Sequence, residues 1–185
     1  MDKLILLSGG LDSAVCLAMN PGGHTLFVNY NQESKNRERA ASRKISRAFG
    51  AIHHEVGIFT ENLKVNHVYA DVKGVVPMRN CLLISVASMV GKTTFGDSDV
   101  EVIIGVQRGD NADFVDCRAS FIEQMNEISA AFGVSVSAPL LTKSRAEVQA
   151  IAEKYDKDTS FIRDTWSCYR GNESGPCGEC LSCRQ

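Results

Sequence analysis

Apolar and polar positions in the first half of the chain alternate between short apolar runs and longer amphipathic segments. Apolar runs of strand length at residues 3–7, 24–30 and 52–58 predict three β-strands. Residues 12–18 have the composition of a helix, and residues 31–49 form a charged helical segment. The apolar stripe of this second helix consists of residues at helical spacing, namely Ala41, Ile45, Ala48 and Phe49. This alternation of strands and helices predicts a parallel sheet with right-handed crossovers.

The second half of the chain continues the alternation after residues 60–74, which have no clear period and are predicted to form a loop. Residues 81–90 are apolar almost all round, which predicts a central, buried helix. Strands are predicted at residues 100–106 and 134–141. Two more helices are predicted from the stripe of Phe121, Met125, Ile128 and Phe132 and from the capping box of Ser144 and Glu147. The fold class is therefore α/β, a five-stranded parallel sheet with helices on both faces.

The first strand ends in a loop that combines glycines with hydroxyl and carboxylate side chains, Ser8-Gly9-Gly10-Leu11-Asp12-Ser13. Glycines let the backbone approach a ligand, and the helix that follows begins with unpaired N–H groups carrying partial positive charge. The loop is therefore a predicted anion site. It does not match G-x-x-x-x-G-K-[ST], so it differs from a Walker loop, and Asp12 supplies a carboxylate suited to Mg²⁺ or to fixing the loop. The alternative is an ordinary strand-to-helix turn.

Other polar residues are predicted at the carboxyl-terminal edge of the sheet, where parallel sheets bind their ligands. Tyr30 ends the second strand, where it is a candidate for stacking on a base or a half-buried strand-end tyrosine. Arg79 precedes the apolar helix, where an arginine pairs with a carboxylate of the protein or binds an anionic ligand. Asp116 and Arg118 follow the polar loop after the fourth strand, and Asp116 is equally a candidate cap of the next helix. Lys143 is a candidate phosphate ligand or a solvated side chain.

Composition and charge restrict the function classes. The chain has 185 residues and a formal net charge of −2, so it lacks the basic surplus of a duplex-binding face. No stretch has the length of a membrane span. We expect a cytoplasmic protein without direct nucleic-acid binding and without a membrane segment.

Four of the seven cysteines lie in the last eighteen residues, at Cys168, Cys177, Cys180 and Cys183. Their spacing, C-x8-C-x2-C-x2-C, lets a short chain surround one metal ion, and four thiolates favour tetrahedral Zn²⁺ with no open coordination position. The predicted role is structural. An iron–sulfur cluster uses the same ligands, and a disulfide pair is the third interpretation.

Taken together, these motifs resemble the QueC family of 7-cyano-7-deazaguanine synthases, which belongs to the PP-loop ATP pyrophosphatases. The resemblance rests on the loop at 8–13 and on Val76-Pro77-Met78-Arg79-Asn80, Asp116-Cys117-Arg118, Pro139-Leu140 and Thr165-Trp166-Ser167-Cys168-Tyr169 with the last cysteines. It implies that ATP activates the carboxylate of 7-carboxy-7-deazaguanine as an adenylate. Ammonia then forms the amide, and a second ATP drives dehydration to the nitrile.

The resemblance also implies roles for individual residues, two segments and a possible homodimer. Residues 1–160 would form the ATP-binding domain, and residues 161–185 the zinc segment. The catalytic residues would be Asp12, Arg79 and Lys143. ATP with Mg²⁺ would contact Ser8, Gly9, Gly10, Leu11, Asp12, Ser13 and Tyr30, and the deazapurine would contact Arg79, Asn80, Asp116 and Arg118. Zn²⁺ would be bound by Cys168, Cys177, Cys180 and Cys183.

Three alternatives remain open at this point. The family usually has Tyr-Gly-Gln followed by a basic pair where this chain has residues 30–34, and residues 54–75 form a shorter segment than in relatives. The first alternative is therefore a QueC-like enzyme that stops at the amide or activates a different carboxylate. The other two candidates are a tRNA-thiolating PP-loop enzyme, which would need a reactive cysteine such as Cys117, and an inactive nucleotide-binding protein.

Overall fold

A computed structural model describes residues 1–58, 76–110, 114–157, 160–170 and 175–184, so the loop predicted at 60–74 lies outside the described residues. The strands are β1 (Asp2–Leu6), β2 (His24–Asn29), β3 (Ile52–Gly57), β4 (Val100–Ile103) and β5 (Val134–Ser137). The helices are α1 (Leu11–Ala18), α2 (Lys35–Ala48), α3 (Arg79–Phe95), α4 (Ala119–Ala130), α5 (Arg145–Tyr155), α6 (Phe161–Asp164) and α7 (Leu181–Arg184). A short 3₁₀ helix (Val115–Cys117) precedes α4.

The five strands form one parallel sheet in the order β3-β2-β1-β4-β5. The central strand β1 has its Leu4 opposite His24 of β2 on one side and opposite Val102 of β4 on the other. The predicted fold class is confirmed. The chain leaves β1 for β2 on one side of the sheet and later returns to β4 on the other, so a crevice opens at the carboxyl ends of these strands.

Each face of the sheet carries its own apolar core, because successive strand side chains point to opposite faces. On one face, Leu4 and Leu6 pack with α3 and α4. On the other face, Ile5 and Leu7 pack with α1, α2, α5 and α6. The fully buried Phe161 of α6 belongs to this second core. Helices therefore cover both faces, as the sequence predicted.

Helix α2 begins four residues later than the charged segment suggested. Asn31 has a left-handed backbone (φ 65°), which interrupts a helix, and the buried Gln32 donates from its side chain to the Val28 carbonyl and to Glu38. These contacts hold residues 31–34 in a turn at the end of β2. Ala48, assigned to the inner stripe, is exposed.

Helices α3 and α4, which cover the same face of the sheet, are less buried than their sequences suggested. Met89 of α3 is 66% exposed, so this helix buries one face and is not a central, buried element. In α4 the stripe is shifted, because Ile122 and Met125 are buried, whereas Ile128 and the following Phe132 are exposed. An apolar residue at helical spacing need not face the core when the helix is covered on one side only.

Among the described residues, none of the helices combines the length and the apolar character that a bilayer crossing needs.

Candidate active site

A cavity of about 240 Å³ lies at the carboxyl ends of β1, β2 and β4. Its walls come from segments far apart in the sequence: the loop at 8–13, the end of β2, the start of α3, the loop after β4, the start of α5 and the C-terminal segment. The residues that matter below are Ser8, Gly10, Asp12, Ser13, Tyr30, Arg79, Asn80, Gln107, Asp110, Arg145, Trp166, Tyr169 and Ser182.

The glycine loop is held in a preformed shape by its own hydroxyls. Ser8 Oγ lies 3.1 Å from Ser13 Oγ and accepts the Gly10 N–H at 3.3 Å, while Ser13 Oγ donates to the Gly10 carbonyl at 2.9 Å. Gly10 is the N-cap of α1 and has no side chain to accept the first N–H groups of that helix. These donors and the helix dipole therefore give the start of α1 the partial positive charge that suits an anion.

Two glycines allow the surrounding elements to approach this loop. Gly9 has φ 89°, and a Cβ there would lie 2.6 Å from the Glu38 carbonyl oxygen of α2. Gly105, directly after β4, would place a Cβ 2.7 Å from the Ser13 nitrogen and 2.8 Å from the Asp12 carbonyl carbon. Since these neighbouring atoms all belong to the backbone, no rotamer change can relieve the overlap. The loop is thus enclosed between α2 and the end of β4.

Asp12 faces a second carboxylate and a cation across the cavity. The pKa of its carboxyl is raised from 3.8 to about 6, mainly by burial and secondly by the negative charge of Asp110, while the Arg145 guanidinium opposes both. Gln107 Nε2 lies 3.5 Å from Asp12 Oδ2, and Asp110 Oδ2 accepts the Gln107 backbone N–H at 3.1 Å. Two carboxylates and an amide that converge in this way suit a hard divalent cation.

Arg79 reaches the cavity from the start of α3, directly after Met78, whose backbone is left-handed (φ 60°). Its guanidinium contacts Asn80 Oδ1 at 3.4 Å and forms a side-chain hydrogen bond with Tyr30. Burial alone would lower the pKa of Arg79, but Tyr30, Asp116 and Cys117 raise it. Arg79 therefore keeps its positive charge inside the cavity.

Asp116 has a structural contact that the sequence did not predict. Its Oδ2 accepts the backbone N–H of Asn80 at 3.0 Å, and its carbonyl accepts the Asn80 side-chain amide at 2.9 Å. Asp116 therefore binds the first turn of α3, whereas the N-cap position of α4 is occupied by Arg118. This contact fixes the position of Arg79 next to it.

The C-terminal segment forms part of the cavity wall. The Trp166 backbone N–H donates to the Gly9 carbonyl at 2.8 Å, and the Arg37 guanidinium lies 5.2 Å from the centre of the Trp166 ring. Tyr169 and Ser182 also line the cavity. The segment after α6 therefore contacts the glycine loop directly.

The four C-terminal cysteines converge as their spacing predicted. Their Sγ atoms all lie within 4.8 Å of one another, close to the separation of about 3.8 Å expected for thiolates around a tetrahedral Zn²⁺. Backbone N–H groups of Glu179 and Cys180 donate to Cys177 Sγ at 3.4 and 3.3 Å and lower the pKa of that thiol to about 6. Such N–H···S contacts stabilise the thiolate that a metal requires, and none of the described cysteines is in a disulfide.

Residues 2–185 match the family model described as queuosine biosynthesis protein QueC. The chain belongs to the QueC family. It is 31% identical over 203 residues to the 7-cyano-7-deazaguanine synthase of Campylobacter concisus, with 97% of this chain and 89% of the relative covered. The synthase of Hydrogenovibrio crunogenus is 32% identical over 209 residues, with 98% and 87% covered.

A solved structure shares the QueC-type fold at low sequence identity. It is described as the predicted subunit of a tRNA methyltransferase from Methanocaldococcus jannaschii. The TM-score is 0.57 at 17% identity, with 83% of this chain and 74% of that chain covered. This likeness concerns the fold alone.

Within this QueC family member, the cavity brings together most of the residues singled out from the sequence. Ser8, Gly10, Leu11, Asp12, Ser13, Tyr30, Arg79 and Asn80 line it, and Gly9 contributes its carbonyl to the contact with Trp166. Asp116 acts through Asn80, and Arg118 is exposed at the start of α4. Lys143 is not among the lining residues and lies 4.0 Å from Glu147.

Sequence reasoning missed several residues that line the QueC cavity. Arg145 was considered only as part of a capping box, which the structure confirms through Ser144 and Glu147. Asp110 was one of several polar residues in a loop, and Tyr169 was treated as a neighbour of a cysteine. The available signal was position alone: Asp110 follows a strand, and Arg145 opens a helix after the last strand.

Proposed function

We propose that this QueC family protein is a 7-cyano-7-deazaguanine synthase. In the first step a carboxylate oxygen of 7-carboxy-7-deazaguanine attacks the α-phosphorus of ATP, and pyrophosphate leaves. Ammonia then attacks the acyl carbon, AMP leaves, and a proton is lost to give the amide. In the second activation the amide oxygen attacks the α-phosphorus of another ATP and pyrophosphate leaves, and loss of AMP and two protons then gives the nitrile.

The observation that carries this proposal is the meeting of the glycine loop with two arginines in one cavity of a QueC family member. The N–H groups at the start of α1 would bind the β- and γ-phosphates, and Arg145 would neutralise their charge. Arg79 would face the reacting carboxylate and the α-phosphate, where negative charge accumulates during adenylation. These groups position the reactants, and the chemistry then needs no enzyme nucleophile.

Mg²⁺ would be held between the nucleotide phosphates and the carboxylates of Asp12 and Asp110, where it would neutralise charge on the leaving pyrophosphate. The raised pKa of Asp12 supports this assignment, because burial and the neighbouring charge of Asp110 both disfavour the ionised carboxyl, and a bound cation would offset both effects. We assign Zn²⁺ to the four-cysteine cluster, since its ligand set is closed and offers no position for a substrate.

The environment of Cys117 argues against a thiolation enzyme. Burial raises the pKa of its thiol to about 12, and the carboxylates of Asp116 and Asp110 act in the same direction. The thiol also accepts a hydrogen bond from Asn80 Nδ2 at 3.4 Å. A thiol with this pKa is not a nucleophile near neutral pH.

We also propose that the protein is a cytoplasmic homodimer without direct nucleic-acid binding. The net charge of −2 supports the absence of a nucleic-acid surface, and the exposed apolar residues of α3 and α4 support the dimer.

The test is a mass-spectrometric assay of the purified protein with ATP, Mg²⁺, ammonia and 7-carboxy-7-deazaguanine. We expect nitrile and AMP to accumulate together. An amide without nitrile would identify an enzyme that stops after the first activation. Binding of ATP without AMP formation for this acid would overturn the proposal and favour a binding protein or a different carboxylate. Asp12→Asn serves as the inactive control.

A further inference from the structure

The four-cysteine cluster and the cavity share a wall. Cys168 and Cys180 are ligands of the cluster, and Trp166, Tyr169 and Ser182, which line the cavity, lie within two residues of one or the other. We propose that the metal of this cluster positions the wall of the nucleotide cavity, so that metal binding and ATP binding strengthen each other. The inference rests on the proposed function, because it takes the cavity to bind ATP.

The first connection runs from Cys168 to the glycine loop. Trp166 Nε1–H donates to the Cys168 carbonyl at 2.9 Å, which fixes the indole ring relative to a metal ligand. The backbone N–H of the same tryptophan donates to the Gly9 carbonyl at 2.8 Å. One residue therefore joins the cluster to the loop assigned to the phosphates. Trp166 is a positioning residue in this scheme.

The second connection runs from Cys180 to Arg79. The backbone N–H of Tyr169 donates a hydrogen bond to the Cys180 thiol. The Tyr169 phenol is close enough to Arg79 and Asp110 for their charges to act on it. Placement of Cys180 by a metal would therefore also place the Tyr169 ring beside the cation that faces the reacting carboxylate.

The described part of the C-terminal segment has little else to hold it in place. Apart from an isolated β-bridge at Gly175, residues 175–184 contain the single turn of α7, and the one buried side chain described there is that of Cys180. Thiolates crowded within 4.8 Å repel one another unless a cation lies between them. We therefore expect the metal to supply the order of this wall. A ligand that contacts the ordered wall must in turn hold the metal more tightly, because coupling between two sites is reciprocal.

The test uses the metal-loaded protein and has two measurements that do not depend on turnover. The first is the rate of metal release to a chelating dye, with and without Mg²⁺ and the nonhydrolysable analogue α,β-methylene-ATP. We expect the analogue to slow release at least about fivefold, the lower end of common allosteric couplings. The second is the affinity for the analogue by calorimetry, before and after metal removal, with folding of the metal-free protein checked by circular dichroism.

Trp166→Phe keeps a ring for Arg37 but removes the donor to Cys168. We expect this variant to bind metal and analogue individually while the analogue's effect on metal release falls to less than twofold. Tyr155→Phe, at the far end of α5, is the matched control and should keep the full effect.

The outcomes separate the two proposals. Analogue binding to the metal-loaded protein with an unchanged rate of metal release would overturn the coupling and leave the proposed function intact. Failure of the metal-loaded wild type to bind the analogue would overturn both. If the analogue slows metal release as strongly in Trp166→Phe as in the wild type, the connection through the Trp166 side chain is excluded.

Discussion

At the scale of single residues, the carboxyl of Asp12 lies in an environment that disfavours its charged form. Burial and the charge of Asp110 place its pKa at about 6, compared with 3.8 for an ordinary aspartate. The ionised form is thus less stable in the folded protein than in the unfolded chain. A bound cation would remove this cost, so Asp12 contributes to ligand binding at the expense of stability.

The sign of this effect makes a prediction about stability and pH. Because the pKa is higher in the folded state, the folded protein binds the extra proton between about pH 4 and pH 6, and stability falls as the pH rises through this range. Asp12→Asn should therefore be more stable than the wild type at pH 7, by about 2 to 3 kcal/mol. Urea unfolding at pH 7 and pH 4.5 checks it, and the difference should shrink at the lower pH. A variant less stable than the wild type at pH 7 would contradict the raised pKa.

A second prediction concerns Lys143 and Arg145, the basic residues on either side of Ser144. Arg145 lines the cavity, whereas Lys143 forms a surface ion pair with Glu147, a kind of pair that contributes at most about 1 kcal/mol to stability. Arg145→Ala should weaken Mg²⁺·ATP binding at least about tenfold, the effect of losing one charge-assisted hydrogen bond. Lys143→Ala, its matched control, should change the affinity less than twofold. Calorimetry measures both affinities, and a larger loss for Lys143→Ala than for Arg145→Ala would support Lys143, the residue predicted from the sequence, as the phosphate ligand.

At the scale of elements, the end of β4 and the start of α1 are packed backbone against backbone. The absence of a side chain at Gly105 permits this contact, which sets the position of the glycine loop relative to Gln107 and Asp110. A strand and a helix that begin about 90 residues apart thus form one rigid corner of the site.

Gly105→Ala should therefore displace the glycine loop. The new Cβ would overlap backbone atoms of Asp12 and Ser13, so we expect at least about a tenfold loss of ATP affinity with a destabilisation of about 1 to 3 kcal/mol. Gly109→Ala is the control, because nothing lies within 4 Å of a Cβ at that position. Its effect on stability should stay within about 0.5 kcal/mol. Equal behaviour of the two variants in calorimetry and urea unfolding would show that the corner is not rigid.

At the scale of the whole molecule, the α3 and α4 face presents large apolar side chains to solvent. Leu82, Met89, Ile128 and Phe132 are all exposed there, the last by 70%. Isolated apolar residues are normal on a surface, but several on two adjacent helices are typical of an interface. This arrangement agrees with the homodimer proposed above.

Light scattering should accordingly give twice the chain mass of 20.2 kDa. Met89→Lys combined with Phe132→Glu should produce a folded monomer, because charges at the centre of an apolar interface are costly to bury. Met19→Lys, at an exposed apolar position at the end of α1, is the control and should stay dimeric. A monomeric wild type would exclude the dimer.

Most of the fold could be predicted because its signals are local. Strand-length apolar runs gave the order of the elements, and the strand–helix alternation then allowed few topologies. Predictions failed where burial decided the outcome. The apolar run of α3 and the apolar stripe of α4 were predicted to lie in the core. A sequence shows the spacing of apolar residues, but it does not show that a helix is covered on only one side.

The sequence by itself determined the features whose chemistry lies among near neighbours: the glycine loop, the capping box of Ser144 and the four-cysteine cluster. Only the tertiary structure decided which distant residues meet there. Packing of the sheet brought Arg145, Asp110 and Trp166 to the loop, and it turned Asp116 toward α3. The physical reason is that such contacts depend on how whole elements pack across long stretches of chain, and no local pattern of residues encodes that arrangement.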